Sequence, residues 1–247
     1  YYKNYKNLST IDSDIKLYKK IDKYKNVIFL IWDKKLAIRT RKICRIKSPI
    51  KVISPTLNYK EKILKKISYS VKKEVKLLFI GINPDIKGLK YLIKAIKSKE
   101  FRKYDFKLSV VTKSTSFKNS KKITFYHNIS EKFKHKLLKD CDIFILPTTA
   151  ETFGYSILEA ISYKCSIITT NFYPLNNFCK NNYNGYLVKN KSSKDIKKAL
   201  LQLLKDKKKI ELQKKRSFNI YKEKFGQEFF LGKIKKLSAE IKSGKVK

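Results

Sequence analysis

The chain has 247 residues, of which 60 are Lys or Arg and 20 are Asp or Glu, giving a formal net charge of +40 at pH 7. Hydrophobic residues make up 42% and aromatic residues 13% of the sequence, enough to form a core, which excludes a disordered chain. The longest apolar runs, such as 27–32, are far shorter than the roughly 18 residues of a transmembrane helix. At roughly 100 to 200 residues per domain, the length fits one large domain or one domain with part of another.

The basic residues are mostly lysines, since only five of the 60 are Arg. Lysine is a weaker choice than Arg for bidentate recognition of phosphates and bases, so we do not expect specific nucleic-acid binding. The chain is also rich in Ile, Asn, Tyr and Phe, which like Lys have A- and T-rich codons, so genome composition accounts for much of the excess. Attraction to an anionic membrane surface is expected as a secondary property.

The remaining composition indicates a cytoplasmic fragment. The chain begins at Tyr1 and contains no Met, so we expect that its natural N-terminus lies upstream. It has no secretory signal and no CxxC pair, and a chain of this length needs no disulfides, so we expect reduced thiols in the cytoplasm. The cysteines are Cys44, Cys141, Cys165 and Cys179.

Short apolar runs alternate with helical patterns along the chain. The runs predict β-strands at 27–31, 50–53, 77–81, 107–111, 123–126, 143–146, 166–169 and 185–188. Apolar residues at helical spacing predict helices between them, as at 89–96 and 133–138. After residue 188 the pattern is helical to the end, with a second helix from about Ile210 and a third after Gly226. The alternation predicts an α/β fold, a Rossmann-like parallel sheet with helices on both faces.

The turn after the strand at 77–81 is the first candidate for ligand binding, because ligands of open parallel sheets bind at the carboxyl ends of the strands. Gly81 and Gly88 allow a tight turn and close approach of a ligand, and Lys87 offers a cation at the start of a helix. The turn matches neither a P-loop nor the GxGxxG pattern. A solvated loop lysine is therefore the alternative for Lys87.

The turn after the strand at 143–146 carries a stronger signal, with the sequence PTTAETFGYSILEA at 147–160. Pro147 ends the strand, and a helix is predicted to begin near Gly154. The backbone amides of Phe153, Gly154 and Tyr155 are then donors at a helix N-terminus. Such donors form a binding site for a phosphate group.

Two of the scarce acidic residues lie at this turn. Glu151 is on the loop that faces the cleft, and Glu159 can accept hydrogen bonds from sugar hydroxyls. The alternatives are a helix-start carboxylate favoured by the macrodipole for Glu151 and a surface partner of a lysine such as Lys164 for Glu159. The range 141–163 contains no Lys or Arg, which indicates either a deeply buried segment or one that faces a pocket.

The two histidines, His127 and His135, do not form a metal site with any Cys or His cluster, and no metal is expected. His127 follows the strand at 123–126. Together with Tyr126 it is a candidate for stacking on a base, and a structural or exposed histidine is the alternative.

These motifs together resemble the C-terminal, donor-binding domain of retaining GT-B glycosyltransferases of family 4, the glycosyl transferases group 1. Four pieces match the family in order. They are the Gly81 to Gly88 turn, the strand and proline at 141–147, ETFGYSILEA at 151–160, and the segment 167–171 leading to 184–188. The helical end, including 221–225, is also similar to the closing helices of the family.

The resemblance implies a nucleotide-sugar donor held in this domain, with no metal and no cofactor, because basic side chains and helix dipoles carry the leaving diphosphate. By position, Lys87 would neutralise the diphosphate, Glu159 would bind ribose hydroxyls and Glu151 would contact the transferred sugar. The implied catalytic residues are Glu151 and Lys87, and the implied donor-binding residues are Gly81, Phe153, Gly154, Tyr155, Glu159 and His127.

The resemblance also implies a domain organisation and an activity. It gives a remnant of an acceptor-side domain at 1–55, a linker at 56–75, the donor-binding domain at 76–225, and a C-terminal helix with a basic tail at 226–247. The implied enzyme is a retaining hexosyltransferase that acts in the cell envelope on a polysaccharide, lipid-linked glycan or glycolipid acceptor. It would be cytoplasmic, or peripheral on the inner face of the membrane.

One departure from the family favours an alternative. Ile82 stands where the family commonly has an Arg, which removes one phosphate contact. Together with the net charge of +40, this favours a polyanion-binding protein or an inert partner protein on a degenerate glycosyltransferase fold.

Overall fold

A computed structural model of the chain describes residues 8–24, 26–57, 64, 66–113, 116 and 118–246. The chain forms two compact units, one of Tyr1–Asn58 together with Lys222–Lys247 and the other of Tyr59–Tyr221. Residues 58–63 and 65 of the predicted linker lie outside the described residues. The domain boundaries and domain roles derived from the sequence stay predictions.

The helices and strands follow the alternation expected from the sequence. The strands are β1 (Phe29–Ile31), β2 (Ile50–Val52), β3 (Val75–Ile80), β4 (Phe106–Val111), β5 (Ile123–Tyr126), β6 (Ile143–Leu146), β7 (Ser166–Thr170) and β8 (Gly185–Val188). The helices are α1 (Leu8–Ile21), α2 (Lys34–Cys44), α3 (Leu89–Ile96), α4 (Glu131–Asp140), α5 (Tyr155–Ser162), α6 (Ser193–Lys205), α7 (Lys207–Lys224) and α8 (Gln227–Lys242). Every predicted strand is present with ends within two residues of the prediction, whereas α1 and α2 were missed.

The unit Tyr59–Tyr221 is built around a parallel sheet of six strands in the order β5-β4-β3-β6-β7-β8. The chain places β4 and β5 on one side of β3 and then crosses to the other side, where Ile143 of β6 pairs with Leu77 of β3. Helices flank the sheet, with α4 against β3 and α5 against β6 and β7. This is the doubly wound order of a Rossmann-like fold, so the predicted fold class is confirmed.

Apart from Lys76 of β3, the two middle strands of this sheet are apolar along their length because both of their faces are covered. Leu77, Leu78 and Phe79 of β3 are at most 2% exposed, and every residue of β6 is fully buried. Burial also explains most of the gap in basic residues, since β6 and most of α5 are buried within 141–163. The less buried parts of that range are the loop at 149–152 and the start of α5, where Tyr155 is exposed.

The polar residues of β7 are buried as well, and their hydroxyl groups are hydrogen-bonded. Ser166 Oγ donates to Gln213 Oε1 at 2.6 Å, and Thr169 Oγ1 donates to the carbonyl oxygen of Leu146 at 2.8 Å. These bonds compensate for the loss of water around the hydroxyls. They attach β7 to α7 on one side and to β6 on the other.

The unit formed by Tyr1–Asn58 and Lys222–Lys247 contains a two-stranded parallel sheet of β1 and β2. Phe29, Cys44 and Ile46 form its buried core, against which apolar side chains of α1 pack. Lys51 of β2 donates to Glu240 of α8 at 2.6 Å, so the last helix is attached to this sheet. Across the described ranges of the chain, no helix is both long and apolar enough to cross a membrane.

A buried ion pair joins the start of β6 to α7. Lys214 Nζ lies 2.8 Å from Asp142 Oδ1, and the two side chains are 5% and 7% exposed. Asp142 Oδ2 accepts the backbone N–H of Lys76 at 3.0 Å. Loss of either charge leaves its partner buried without compensation, which is costly in a low-dielectric environment.

We predict that Lys214→Met lowers the free energy of unfolding by about 3–5 kcal/mol, because it leaves the Asp142 carboxylate buried without its cation. Lys197→Met is the matched control, since it makes the same change in α6 and removes an ion pair with Glu100 whose side chains are 33% and 49% exposed. The control should change little. Urea unfolding followed by circular dichroism measures both, and equal losses would contradict the role of the buried pair.

Candidate functional site

The carboxyl ends of β3 and β6 lie side by side where the strand order reverses, which is the position at which open α/β sheets bind ligands. The loop 81–88 leaves β3 and leads into α3, and the loop 147–154 leaves β6 and leads into α5. The structure therefore brings together two loops that are far apart in the sequence. Every predicted site residue except His127 lies in these loops or in α5.

The loop 81–88 holds Lys87 by backbone and side-chain contacts. Asn83 accepts the backbone N–H of Ile86 on its side chain at 3.2 Å and that of Lys87 on its carbonyl oxygen at 2.9 Å. A Cβ atom at Gly81 would lie 2.8 Å from the Cβ of Lys87, so the glycine lets Lys87 pack directly against the end of β3. The first glycine of the motif thus positions the cation.

The two loops are joined through one carbonyl group. The carbonyl oxygen of Ile86 accepts the backbone N–H of Thr149 at 2.7 Å and the hydroxyl groups of Thr148 and Thr149 at 3.0 Å each. Gly88 has a φ of +78°, and a Cβ atom there would lie 2.0 Å from the carbonyl oxygen of Pro147. The second glycine is therefore required both by its left-handed backbone and by the contact between the loops.

The joined loops place Lys87 against Glu151, the two candidate catalytic residues. Lys87 Nζ lies 2.7 Å from Glu151 Oε2, and the side chains are 25% and 11% exposed. Glu151 Oε1 also accepts the backbone N–H of Thr152 at 3.1 Å. The arrangement gives a partly accessible ammonium group and a carboxylate at the carboxyl edge of the sheet.

The N-terminus of α5 lies at the same edge. Gly154 precedes the helix with a φ of +106°, and its carbonyl oxygen accepts the N–H of Leu158 at 3.0 Å. The amide of Ile157 also donates to the carbonyl oxygen of Gly154, at 2.9 Å, whereas the amides of Tyr155 and Ser156 precede the first bond within the helix, which makes them available to an anion. Phe153 is buried with its ring 5.2 Å from that of Phe178, whereas Tyr155 is exposed.

Glu159, one turn into α5, pairs with a lysine of the neighbouring helix. Lys134 of α4 places its Nζ atom 2.8 Å from Glu159 Oε1 and 2.9 Å from Glu131 Oε2. The alternative pairing of Glu159 with Lys164 is not observed, because Lys164 is buried and donates to the carbonyl oxygen of Ile67 at 2.7 Å. Glu159 is therefore a mostly buried carboxylate beside the predicted phosphate site.

His127 is not part of the two loops. It follows β5, which is separated from β3 by β4, and its Nδ1 atom lies 3.0 Å from the carbonyl oxygen of Thr112. Its role in stacking stays a prediction. Among the residues that the structure describes, no group of three or more His, Cys, Asp or Glu side chains is arranged to hold a metal ion.

Comparison with protein families assigns the chain. Residues 60–223 match the family described as glycosyl transferases group 1, which is two thirds of the chain and nearly coincides with the unit Tyr59–Tyr221. The chain belongs to this family.

One curated relative is an N,N'-diacetylbacillosaminyl-diphospho-undecaprenol alpha-1,3-N-acetylgalactosaminyltransferase from Campylobacter jejuni. It is 36% identical over 73 residues, which cover 30% of this chain and 19% of the relative. The chain thus spans a small part of the curated relative it matches.

Solved structures share the fold. Sucrose-phosphate synthase from Thermosynechococcus elongatus aligns with a TM-score of 0.72 at 14% identity, covering 94% of this chain and 62% of that chain. The pneumococcal O-GlcNAc transferase GtfA, in complex with UDP and GlcNAc, aligns with a TM-score of 0.70 at 16% identity, covering 93% of this chain and 47% of that chain. The GT-B assignment and the group 1 assignment are confirmed, while membership of family 4 stays a prediction.

Sequence reasoning missed two features of the site. The first is the contact of the two loops through the carbonyl group of Ile86, and the second is Lys134 beside Glu159. Thr148 and Thr149, directly after Pro147, could have indicated the contact between the loops, because their hydroxyl groups can donate hydrogen bonds to a neighbouring loop. No sequence signal distinguished Lys134, because the chain contains so many other lysines.

We predict that Gly88→Ala destabilises the protein more than Gly244→Ala. Both glycines have positive φ values, +78° and +66°, but a Cβ atom at Gly88 meets the carbonyl oxygen of Pro147 whereas none lies within 4 Å at Gly244. Gly244→Ala therefore carries only the backbone strain, about 1 kcal/mol. Urea unfolding should show a loss at least about 1 kcal/mol larger for Gly88→Ala. Similar losses would show that the loops can separate at no cost.

Proposed function

We propose that the chain supplies the nucleotide-sugar donor site of a retaining glycosyltransferase. The observation that carries the proposal is the convergence of Lys87, Glu151 and the N-terminus of α5 at the carboxyl edge of β3 and β6. A diphosphate needs positive charge and N–H donors, and this edge offers both. Membership of the glycosyl transferases group 1 family supports the same assignment.

Each polar group of the site has a role in this proposal. Lys87 and the first amides of α5 bind the diphosphate and stabilise the charge that develops on it as the glycosidic bond breaks. Glu159 accepts hydrogen bonds from the ribose hydroxyls, and Glu151 contacts the transferred sugar. The ion pair with Glu151 keeps Lys87 at the edge before the donor binds. Retention of the anomeric configuration, and catalysis without a metal, are expected from the family resemblance.

The acceptor is proposed from the relative and from charge. The curated relative is named for a diphospho-undecaprenol-linked substrate, which favours a lipid-linked glycan over the other acceptors considered. A net charge of +40 favours a position at the anionic inner face of a membrane. We propose a peripheral cytoplasmic enzyme of cell-envelope or polysaccharide biosynthesis.

A second candidate is a polyanion-binding or inert partner protein on the same fold. The observation that favours it is Ile82, whose side chain is 65% exposed at a position where the family commonly has an Arg. A binding surface made of many lysines would attract any polyanion and would lose affinity steeply with salt.

We predict that calorimetry at high salt detects saturable binding of one nucleotide sugar in a panel of UDP, GDP and ADP sugars. Salt suppresses attraction to surface lysines but screens a partly buried site much less. Glu159→Ala should weaken binding at least about tenfold, because hydrogen bonds to a charged group are lost. Glu100→Ala, at an exposed carboxylate, should not. The second candidate would be favoured if every polyanion binds, if this binding disappears at high salt, and if Glu159→Ala leaves it unchanged.

A further inference from the structure

Lys134 is a lysine whose position differs from that of the many solvated ones. Its ammonium group lies between two carboxylates, 2.8 Å from Glu159 and 2.9 Å from Glu131, and its side chain is 18% exposed. Glu131 is on the same helix one turn earlier and is 76% exposed, whereas Glu159 is on α5 and is 13% exposed. Lys134 thus bridges the exposed Glu131 and the mostly buried Glu159 of the candidate site.

The ammonium group keeps its charge in this position. Burial disfavours the charged form, but hydrogen bonds from Lys134 to Glu159 and Glu131 outweigh it, so the pKa of Lys134 is raised above its usual value. The nearby hydroxyl of Tyr163 brings no charge, because burial and the charge of Glu159 raise the pKa of Tyr163 to about 12. Lys134 is therefore a permanent cation beside Glu159 at physiological pH.

The contact with Lys134 does not by itself exclude a ligand at Glu159. A carboxylate has sites for about four hydrogen bonds, and Lys134 donates to Oε1 at 2.8 Å. A fixed cation on one side holds the carboxylate in one orientation, which lowers the cost of ordering it when a diol binds.

We infer that Lys134 is a positioning residue of the donor site, which holds the Glu159 carboxylate for the ribose hydroxyls of a nucleoside diphosphate. This inference rests on the proposed function, because it assigns a ligand to Glu159. Lys134 touches no part of the donor in this assignment and acts through Glu159.

The test compares nucleotides that have the ribose hydroxyls with nucleotides that lack them. Calorimetry at high salt measures UDP, GDP and ADP, each beside its 2′,3′-dideoxy analogue, on the full 247-residue chain and on Lys134→Met. For the ribonucleotide that binds, Lys134→Met should lose affinity about fivefold to tenfold, and Lys134→Arg should retain it within about twofold. The dideoxy analogue should bind both proteins equally, since it gives Glu159 nothing to accept.

Controls separate positioning from general damage. Lys197→Met, the same change at an exposed ion pair, should bind like the wild type. Adding Lys134→Met to Glu159→Ala should cost no further affinity, because the carboxylate that it positions is gone. If Lys134→Met does not fold, Lys134→Gln replaces it in every arm.

The outcomes distinguish the two proposals. If the wild type binds a ribonucleotide and Lys134→Met binds it equally well, the inference is overturned and the proposed function stands. An equal loss for the dideoxy analogue also overturns it, because the effect then does not pass through the hydroxyls. If no nucleotide of the panel binds the wild type, the proposed function fails and the inference fails with it.

Discussion

The burial of the parallel sheet on both faces is the constraint on which the rest of the structure depends. β3 and β6 are the middle strands, and apart from Lys76 and Ile80 of β3 their side chains are buried, so polar chemistry is concentrated at the ends of the strands. The one charge admitted at the start of β6, Asp142, is neutralised by Lys214 and by a backbone N–H. The strand order reverses between β3 and β6, and the two loops that leave the carboxyl ends of these strands are in contact. The position of the candidate site follows from this topology. The glycines allow the two loops to approach each other closely.

Three of the lysine–carboxylate pairs in this unit differ in accessibility in a way that fits the roles proposed for them. Lys214 and Asp142 are almost completely buried, so their contact belongs to the fold. The pairs of Lys87 with Glu151 and of Lys134 with Glu159 are at the carboxyl edge or on α5 and remain partly exposed, at 11–25% and 13–18% of the side chain. A partly exposed pair can exchange one partner for a ligand at small cost, whereas a fully buried pair cannot, because the remaining charge would lose its compensation. The same kind of ion pair thus stabilises the core and, in the proposed function, holds the side chains of the donor site.

The fold was predictable because its signals are local. Apolar runs of four to six residues identified every strand, and the gap in basic residues at 141–163 marked the most buried segment. The site was predictable in part, since Gly81, Gly88, Pro147 and Gly154 punctuate the chain where strands become helices. The contact between the loops depends on which strands are neighbours, which the pattern does not contain. Lys134 was missed for a different reason, because a lysine of a half-buried helix face cannot be told from its solvated neighbours in a chain this basic. The helices α1 and α2 of the other unit were hidden by their mixed polar sequence.

The exposed Ile82 bears on how much of the site depends on one cation. Its side chain points to solvent and its carbonyl oxygen lies 3.5 Å from the hydroxyl of Thr112, so the position contributes to the loop through its backbone. Gly81 still packs against Lys87, and Ile86 still joins the loops, without any contribution from the side chain of residue 82. An isoleucine at this position, where the family resemblance implies an arginine, therefore supplies no charge but leaves the turn organised. The charge that remains at the edge comes from Lys87 and the dipole of α5, whose effect extends over only the first turn of the helix. A donor diphosphate would have to lie close to both Lys87 and the N-terminus of α5. The distance between these two groups is set by the contact between the two loops.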